Sequence, residues 1–501
     1  MLFKEKIMDN RFIAGLKKDR FLWIAVLCIT VLRLAFVPLM GMMPQDAYYF
    51  FYSQHLSLSY FDHPPAVAWM LRIFTTVFGR HVFALKLADT VVTNLMMVVF
   101  YQLAGYFLPD GRRQRALLLL MSTFMITILS LVSTPDIPLL LMWCLSLCFL
   151  YQAIFREKKA SWIMAGIFMG LSFDSKYTAV FLPAGLTLFL LLSAAHRRWL
   201  FSRWYVGTLL SFGIMTLPVI IWNVQNGFAS FRFQSSSRMQ AAGSHVQIHP
   251  LDFLGVIGHQ SAILLPVLFF ALVILLWKTI GRVFLRWKRI SAHQLFLLSF
   301  FVPLFLGFFL LSPFYWVKLN WMMPAYLTGI IWVSIYCSQK WLRVQYIFSL
   351  VVHGVLAVEV LFYLVPIRSD DTWVGWDTLA SEMRSIQTLY PNHFIFSADD
   401  YKTSAVLNFY LNEEVYSVNI LHRPALQFDF VGTDLHSLKG RSALFVDSNN
   451  NGFRPVPKTT SYPVEINQYF EKVIPLKRIV VMRNGAVVRT FMVYECVGYR
   501  P

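Results

Sequence analysis

Charged residues are scarce in this sequence. Asp, Glu, Lys and Arg make up 14% of its 501 residues, whereas hydrophobic residues make up 57%. Soluble proteins carry about 25% charged residues, so most of this chain is expected to lie in a membrane. The 44 Lys and Arg outnumber the 26 Asp and Glu. These basic residues stand in short clusters between apolar runs, which is typical of membrane orientation and argues against nucleic-acid binding.

Cysteine is also rare, and its spacing matches no metal site. The five cysteines are Cys28, Cys144, Cys148, Cys337 and Cys496. Four lie in apolar runs and the last has no evident partner, so neither a disulfide framework nor a structural zinc site is expected. P-loop, GxSxG, HExxH and dinucleotide-binding motifs are absent as well. The pattern requires no cofactor, and although a divalent metal is compatible with it, no ligand spacing indicates one.

Long apolar runs fill the first two thirds of the chain. A membrane-spanning helix needs about 20 mostly apolar residues. This length predicts eleven spans, near residues 21–40, 83–108, 116–133, 137–155, 160–174, 177–195, 204–222, 255–277, 292–312, 323–339 and 344–366. The first run follows a basic stretch and is too long for a signal-peptide core, so it is interpreted as an uncleaved span. We therefore predict an all-α polytopic membrane bundle over residues 1–366.

The basic clusters predict the orientation of this bundle. They lie at the N-terminus and at residues 112–115, 156–159, 197–203, 278–289 and 340–343. With eleven spans, all six clusters fall on the side of the N-terminus. The positive-inside rule makes that side cytoplasmic. The remaining polar segments then share the opposite face.

The tail, residues 367–501, has ordinary polarity. A helix is predicted over residues 376–390, and alternating patterns predict strands over 478–482 and 486–494. Turns with Gly and Pro separate these elements. We expect a soluble α/β or mixed β domain of about 130 residues, an ordinary domain size, displayed on the non-cytoplasmic face.

The first loop on that face, residues 41–82, carries carboxylates on both sides of an aromatic segment. Asp46 precedes Tyr48 and Tyr49, while Asp62 and His63 precede two prolines. The prolines keep the backbone extended and present Asp62 and His63 in a fixed geometry. Two interpretations stay open: a catalytic loop, or an interfacial aromatic helix capped by Asp46 and followed by a proline turn.

Four further polar segments are predicted on the same face. They contain Asp136; Asp174 and Lys176; Asn223, Arg232 and Arg238; and Lys318 and Asn320. Asp136 can equally be a helix cap. Asp174 and Lys176 at membrane depth indicate either a functional site or a buried ion pair. Arginines suit a phosphate, although they also contact lipid headgroups.

Together these segments place carboxylates and cations on one face. A carboxylate can act as general base on an acceptor hydroxyl, and fixed cations can neutralise the charge on a departing phosphate. This combination favours transfer from a phosphate-linked lipid donor. A transporter of lipid-linked sugars is the alternative, but it would need polar residues along a path through the membrane. A structural subunit that docks a partner through the tail is a third interpretation.

Six segments resemble, in chain order, the bacterial branch of glycosyltransferase family 39. They are residues 46–49, 59–65, 134–136, 175–177, 222–227 and 320–321. The resemblance covers about residues 40–330, and the phrase YFDHPP is quite specific. The family contains protein O-mannosyltransferases and lipid A aminoarabinose transferases. It implies a GT-C fold, a polyprenyl-phosphate sugar donor and inverting transfer by direct displacement.

The resemblance also implies roles for individual residues. Asp46 is expected to be the catalytic base, with Asp62 as the second catalytic candidate. The expected substrate-binding residues are Tyr49, His63, Asp136, Lys176, Asn223, Arg232, Lys318 and Asn320. Many members have an Asp-Glu pair where this chain has Gln45 and Asp46, so either Asp46 alone is the base, or Asp62 shares the role, or activity is lost; the first is preferred.

The resulting expectation is a multi-pass glycosyltransferase of the bacterial inner membrane. It would move a sugar from undecaprenyl phosphate to lipid A, a lipid-linked glycan or a protein. Its N-terminus would be cytoplasmic and its tail periplasmic. Membrane lipids are expected partners, whereas nucleic acid is not.

Overall fold

A computed structural model describes residues 19–237, 248–286, 290–365, 367, 369, 371–450 and 462–501. The part before the tail is helical. Its helices are α1 (Arg20–Met40), α2 (Pro44–Gln54), α3 (Ala66–Phe78), α4 (Val82–Gly105), α5 (Asp110–Met121), α6 (Phe124–Leu131), α7 (Asp136–Phe155), α8 (Lys159–Phe173), α9 (Phe181–Leu192), α10 (Arg203–Met215), α11 (Leu217–Gln225), α12 (Ala229–Arg232), α13 (Pro250–Leu264), α14 (Pro266–Arg286), α15 (Ala292–Leu311), α16 (Met323–Tyr336) and α17 (Gln339–Phe362). A 3₁₀ turn, Tyr177–Val180, precedes α9.

Each predicted apolar segment lies in a helix or in a broken pair of helices. Within the described residues, five helices are long and apolar enough to cross a membrane, namely α1, α4, α7, α15 and α17. Three bent pairs raise the number to eight if each pair is one span: α5 with α6, α10 with α11, and α13 with α14. The polytopic helical bundle is thereby supported, and the count of eleven spans stays a prediction.

The sharpest break, between α13 and α14, has its cause in the sequence. Pro266 has no backbone N–H and disfavours a helical conformation in the residue before it. Leu265 takes a positive φ of 65°. The two helices meet at an angle of 116°. The apolar run 255–277 is therefore two steeply inclined helices and not one straight span.

Helices α8 and α10 approach each other closely at two glycines, Gly166 and Gly170. A Cβ added to Gly166 would stand 2.3 Å from the backbone oxygen of Thr208. One added to Gly170 would stand 2.2 Å from Cβ of Met215. Both distances are too short for any side chain, so glycine is required for this separation of the two helices.

Gly166→Ala is expected to destabilise the bundle, because the added methyl group meets a backbone atom that cannot rotate away. Overpacking of this kind costs about 1–3 kcal/mol. Gly213→Ala in α10 is the matched control, since a Cβ there meets no atom within 4 Å. Thermal unfolding in detergent should give a lower midpoint for Gly166→Ala alone. Equal midpoints for the two variants would contradict the close approach.

The two ends of the bundle carry different side chains. At one end, called the basic end, Arg113 donates to the Asp19 carboxylate at 3.1 Å and Arg198 pairs with Glu157. The other end, called the loop end, carries the first loop and the other polar segments predicted to share its face. This separation agrees with the positive-inside pattern. The placement of the termini relative to the membrane stays a prediction.

The tail forms a mixed five-stranded sheet with helices. Its elements are α18 (Trp376–Leu389), β1 (Phe394–Ser397), α19 (Lys402–Leu411), β2 (Val415–Tyr416), β3 (Ala443–Asn450), α20 (Ile466–Tyr469), β4 (Phe470–Arg483) and β5 (Ala486–Tyr499). The strand order is β2-β1-β3-β5-β4, with β1 parallel to β2 and β3. β5 is antiparallel to both β3 and β4.

The predicted elements of the tail are present in this sheet domain. The predicted helix is α18, and the two predicted strands belong to the longer hairpin of β4 and β5. Asn484 and Gly485 connect these strands, and both have positive φ, at 51° and 74°. That conformation is typical of a two-residue hairpin turn. The domain boundary after Pro366 stays a prediction, and Pro366 itself lies outside the described residues.

Candidate functional site

Three of the predicted site residues meet in one buried cluster at the loop end. Lys176 Nζ donates to the two carboxylate oxygens of Asp136 at 2.9 and 3.1 Å. Asn320 Nδ2 donates to Asp136 Oδ2 at 2.6 Å. Asp136 begins α7, Lys176 follows α8 and Asn320 precedes α16. Three helix ends that are far apart in the sequence therefore share one carboxylate.

Asp174 has a different environment from the one expected. Lys176 pairs with Asp136, and neither carboxylate oxygen of Asp174 has a hydrogen-bond partner in the described part of the chain. The Asp174 residue is only 1% exposed. Its backbone oxygen accepts from the N–H of Ala66 at 2.9 Å, which joins the end of α8 to the residues that follow Asp62. The interpretation of Asp174 and Lys176 as an ion pair is thus corrected.

Asp46 is fully enclosed, with an exposed fraction of 0%. Its Oδ2 accepts from the N–H of Met43 at 2.8 Å and pairs with the ammonium group of Lys86. Its Oδ1 accepts from the N–H of Ser133 at 2.7 Å. Asp46 lies in the first turn of α2, where a carboxylate stabilises the exposed N–H groups of a helix. The two oxygens of this carboxylate therefore accept from one ammonium group and two backbone N–H groups.

Two members of this network were missed by the sequence analysis. Lys86 and Asp89 lie on α4, and both are buried. Ser133 Oγ donates to the Asp89 carboxylate at 2.8 and 3.0 Å. The sequence does show two ionisable residues three positions apart inside an apolar run long enough to span a membrane. Burying such groups in a membrane costs free energy unless they have partners, so the two residues could have been predicted to belong to a site. They were not singled out because the run as a whole is strongly apolar.

Asp62 is a partly exposed residue of the first loop. Its Oδ1 accepts from the hydroxyl of Tyr48 at 3.0 Å and from the hydroxyl of Tyr52. Tyr48 and Tyr52 are four residues apart on α2 and so lie on one face of the helix. Burial and the nearby Asp62 carboxylate raise the pKa of Tyr48 well above its usual range, so this hydroxyl stays protonated at neutral pH. The aromatic segment therefore holds Asp62.

His63 and Tyr49 lie on the same side of α2 as Asp62. The ring centroids of Tyr49 and His63 are 6.0 Å apart. Tyr49 also contacts Tyr52 edge to face, with centroids 5.4 Å apart. The His63 imidazole thus lies beside Tyr49, which in turn packs on Tyr52. The role of His63 and Tyr49 toward substrate stays a prediction.

The remaining predicted contacts differ in exposure. Asn223 is buried and accepts from the N–H of Phe231 at 3.1 Å, so its side chain stabilises the turn that carries Arg232. Arg232 and Lys318 are exposed at the loop end. Arg238 lies outside the described residues. Asn223 thus restrains the backbone next to Arg232. Contact of any of these residues with substrate stays a prediction.

The tail covers the first loop. Arg80 donates to the backbone oxygen of Phe409 at 2.8 Å, and its guanidinium lies over the ring of Phe50. The ring of Tyr401 stacks on Tyr48 with centroids 4.3 Å apart. α19 packs along α2 through these contacts. The sheet domain therefore packs directly on the loop that carries Asp46 and Asp62.

Metal ligands are not gathered at this site. Within the ranges that the structure describes, no three His, Cys, Asp or Glu side chains lie together as a metal site requires. The carboxylates of Asp46, Asp62 and Asp136 contact lysine, amide and phenol donors instead.

Comparison with known proteins finds relatives of this chain. Residues 62–222 match the family model of dolichyl-phosphate-mannose-protein mannosyltransferases. The lipid A galacturonosyltransferase RgtD of Rhizobium johnstonii is 24% identical over 330 residues, which are 64% of this chain and 65% of the relative. The chain is a homologue of glycosyltransferases. The resemblance to the bacterial branch of glycosyltransferase family 39 is thereby confirmed.

A second group of relatives matches a shorter segment. An undecaprenyl phosphate-alpha-4-amino-4-deoxy-L-arabinose arabinosyl transferase of Pseudomonas aeruginosa is 33% identical over 151 residues, which are 29% of this chain and 27% of the relative. The homologue thus spans 65% of the galacturonosyltransferase and about a quarter of the arabinosyl transferase. Its own activity and substrates are therefore matters of proposal.

The fold of this glycosyltransferase homologue is that of ArnT. The crystal structure of ArnT from Cupriavidus metallidurans bound to undecaprenyl phosphate superimposes with a TM-score of 0.59. The match covers 94% of this chain and 97% of ArnT at 14% identity. The apo form of ArnT gives a TM-score of 0.58. The predicted GT-C architecture, a helical bundle followed by a sheet domain, is supported by this match.

Proposed function

We propose that this protein transfers a sugar from a polyprenyl-phosphate donor to an acceptor hydroxyl at the periplasmic face of the bacterial inner membrane. The observation that carries the proposal is the Asp136–Lys176–Asn320 cluster at the loop end of a GT-C bundle. The backbone oxygen of Asp174, two residues before Lys176, accepts from the N–H of Ala66 in the first loop. The relatives are named for transfer to lipid A and from undecaprenyl-phosphate aminoarabinose. These names support a lipid-linked donor. The acceptor that we propose is lipid A, a lipid-linked glycan or a protein.

Asp62 is the proposed general base, in preference to Asp46. A general base must come within about 2.6–3.2 Å of the proton that it removes. Asp62 is partly exposed, so an acceptor can approach it. Asp46 would first have to lose its contact with Lys86, since that ammonium group and two backbone N–H groups enclose it.

The reaction is then a single displacement. The acceptor oxygen bonds to the anomeric carbon while the bond from that carbon to the phosphate oxygen breaks, and the electrons of the broken bond leave with the phosphate. Asp62 receives the proton of the acceptor hydroxyl. One displacement inverts the anomeric configuration. This transfer consumes no oxidant or reductant.

Cations at the loop end would hold the donor phosphate. Lys318 and Arg232 are exposed there, and Lys176 is kept in place by Asp136 and Asn320. Charges that are fixed before the reaction stabilise the developing charge on a leaving phosphate without reorganisation. We therefore propose that the two exposed cations bind the donor phosphate as it enters the site. The buried cluster holds the three helix ends together.

Transfer of radiolabelled sugar from undecaprenyl-phosphate donors in proteoliposomes tests the function. Lys318→Ala and Arg232→Ala are expected to raise the KM for the donor by at least about tenfold each, because a hydrogen bond to a charged group contributes about 1.5–3 kcal/mol. Lys340→Ala removes an exposed lysine at the basic end and serves as the matched control, with an unchanged KM.

Two other outcomes would have different meanings. Movement of the lipid-linked sugar across the bilayer without any glycosidic product would contradict the transferase and favour the transporter alternative. Active enzyme with an unchanged KM in both Lys318→Ala and Arg232→Ala would refute the phosphate-binding assignment alone.

A further inference from the structure

Gln427 in the tail forms hydrogen bonds with two groups next to Asp62, the backbone of Phe61 and the hydroxyl of Tyr48. Its side-chain Oε1 accepts from the N–H of Phe61 at 2.8 Å. Its own backbone N–H donates to the hydroxyl oxygen of Tyr48 at 3.3 Å. Gln427 is 1% exposed and lies in the 3₁₀ turn Leu426–Phe430 of the sheet domain, which packs on the first loop.

These two bonds constrain the carboxylate of Asp62. A tyrosine hydroxyl has one hydrogen and two lone pairs. When the N–H of Gln427 occupies a lone pair of Tyr48, the hydrogen is directed to another acceptor, and Asp62 Oδ1 lies 3.0 Å away. The bond to Phe61 holds the backbone immediately before Asp62. One residue of the tail thus restrains both the backbone and a hydrogen-bond donor of the proposed base.

The contact between tail and loop does not depend on the Gln427 side chain. Phe428 stacks on Phe51 with ring centroids 4.3 Å apart, and Phe430 stacks on Phe61 at 5.2 Å. Offset aromatic pairs of this kind contribute about 0.5–1.5 kcal/mol each beyond their buried area. We therefore expect this turn to remain packed on the first loop when the amide of Gln427 is changed.

We propose that Gln427 is a positioning residue for Asp62 and that the sheet domain completes the active site of the transferase. The proposal rests on the proposed function, since it assumes that Asp62 takes the proton of the acceptor. The sheet domain then affects catalysis by restraining the first loop, and its packing on that loop is required for turnover.

Gln427→Leu tests this role, because it keeps the backbone N–H and the approximate volume but removes the acceptor for Phe61. Its kcat should fall about tenfold with the donor KM within about twofold of wild type, the loss expected for a single positioning hydrogen bond. Gln468→Leu, at an exposed tail glutamine, is the control and should match wild type.

Hydrogen–deuterium exchange separates failure of this proposal from failure of the proposed function. The peptide that contains Phe61 should exchange faster in Gln427→Leu than in wild type, whether or not the protein transfers sugar. Unchanged exchange would overturn the restraint. Faster exchange with unchanged kcat in an active enzyme would overturn the positioning role, whereas faster exchange without any wild-type product would overturn the proposed function.

Discussion

Asp62→Asn is expected to reduce the rate of sugar transfer by about 10²–10⁴-fold, the contribution of a general base. Asparagine has nearly the same shape and retains an oxygen that can accept from Tyr48, but it cannot take a proton. The side chain is partly exposed, so the substitution leaves no buried charge without a partner. The measurement is kcat in proteoliposomes, accompanied by the thermal midpoint in detergent, which should change little.

Asp252→Asn is the matched control for this experiment. Asp252 is another partly exposed carboxylate, in the first turn of α13, and it lies on the predicted periplasmic side. Its substitution should leave kcat within about twofold, because no reacting group depends on it. Full turnover in Asp62→Asn would refute Asp62 as the base. If Asp46→Asn then lost turnover while remaining folded, the preference drawn from the sequence would be correct.

Lys86→Met is expected to have the largest effect on stability. It leaves the Asp46 carboxylate fully buried without its ammonium partner, and removal of one member of a buried ion pair costs about 3–5 kcal/mol. The N–H groups of Met43 and Ser133 still donate to the carboxylate but do not neutralise it. The measurement is thermal unfolding in detergent. Lys340→Met, at an exposed lysine, should leave the midpoint unchanged.

The double variant Asp46→Asn with Lys86→Met completes a mutant cycle. It removes both charges of the Asp46–Lys86 pair and leaves Asp89 in place, so it should recover a large part of the stability that Lys86→Met loses, with a coupling free energy of about 0.5–3 kcal/mol. The same protein should retain sugar transfer if Asp62 is the base. A folded double variant without activity would instead connect Asp46 to catalysis. Wild-type stability in Lys86→Met would refute the structural role of the pair.

Much of the membrane part follows from local sequence properties. Apolar length and helical preference act within one segment, so every predicted apolar segment is found in helix. Pro266 similarly acts on its own neighbour, and the break before it is a local effect. The polar residues at helix ends were also recognisable, because an apolar helix must end where charged groups begin. Asp136, Lys176 and Asn320 were identified in this way, although their contacts were not.

The pairing of charges was decided by tertiary structure alone. Asp136 and Lys176 are 40 residues apart, and Asp46 and Lys86 are also 40 apart. Sequence spacing alone would favour a pair between Asp174 and Lys176. The actual pairs depend on which helix ends pack together, and sequence spacing does not reveal this. Contacts between distant segments also determine the pairing of the short parallel strands β1 and β2. They likewise determine the position of Gln427 beside Asp62. By itself the sequence determined the helices and the chemical character of the loop end, whereas helix packing and the docked tail decided that Asp46 is enclosed and Asp62 accessible.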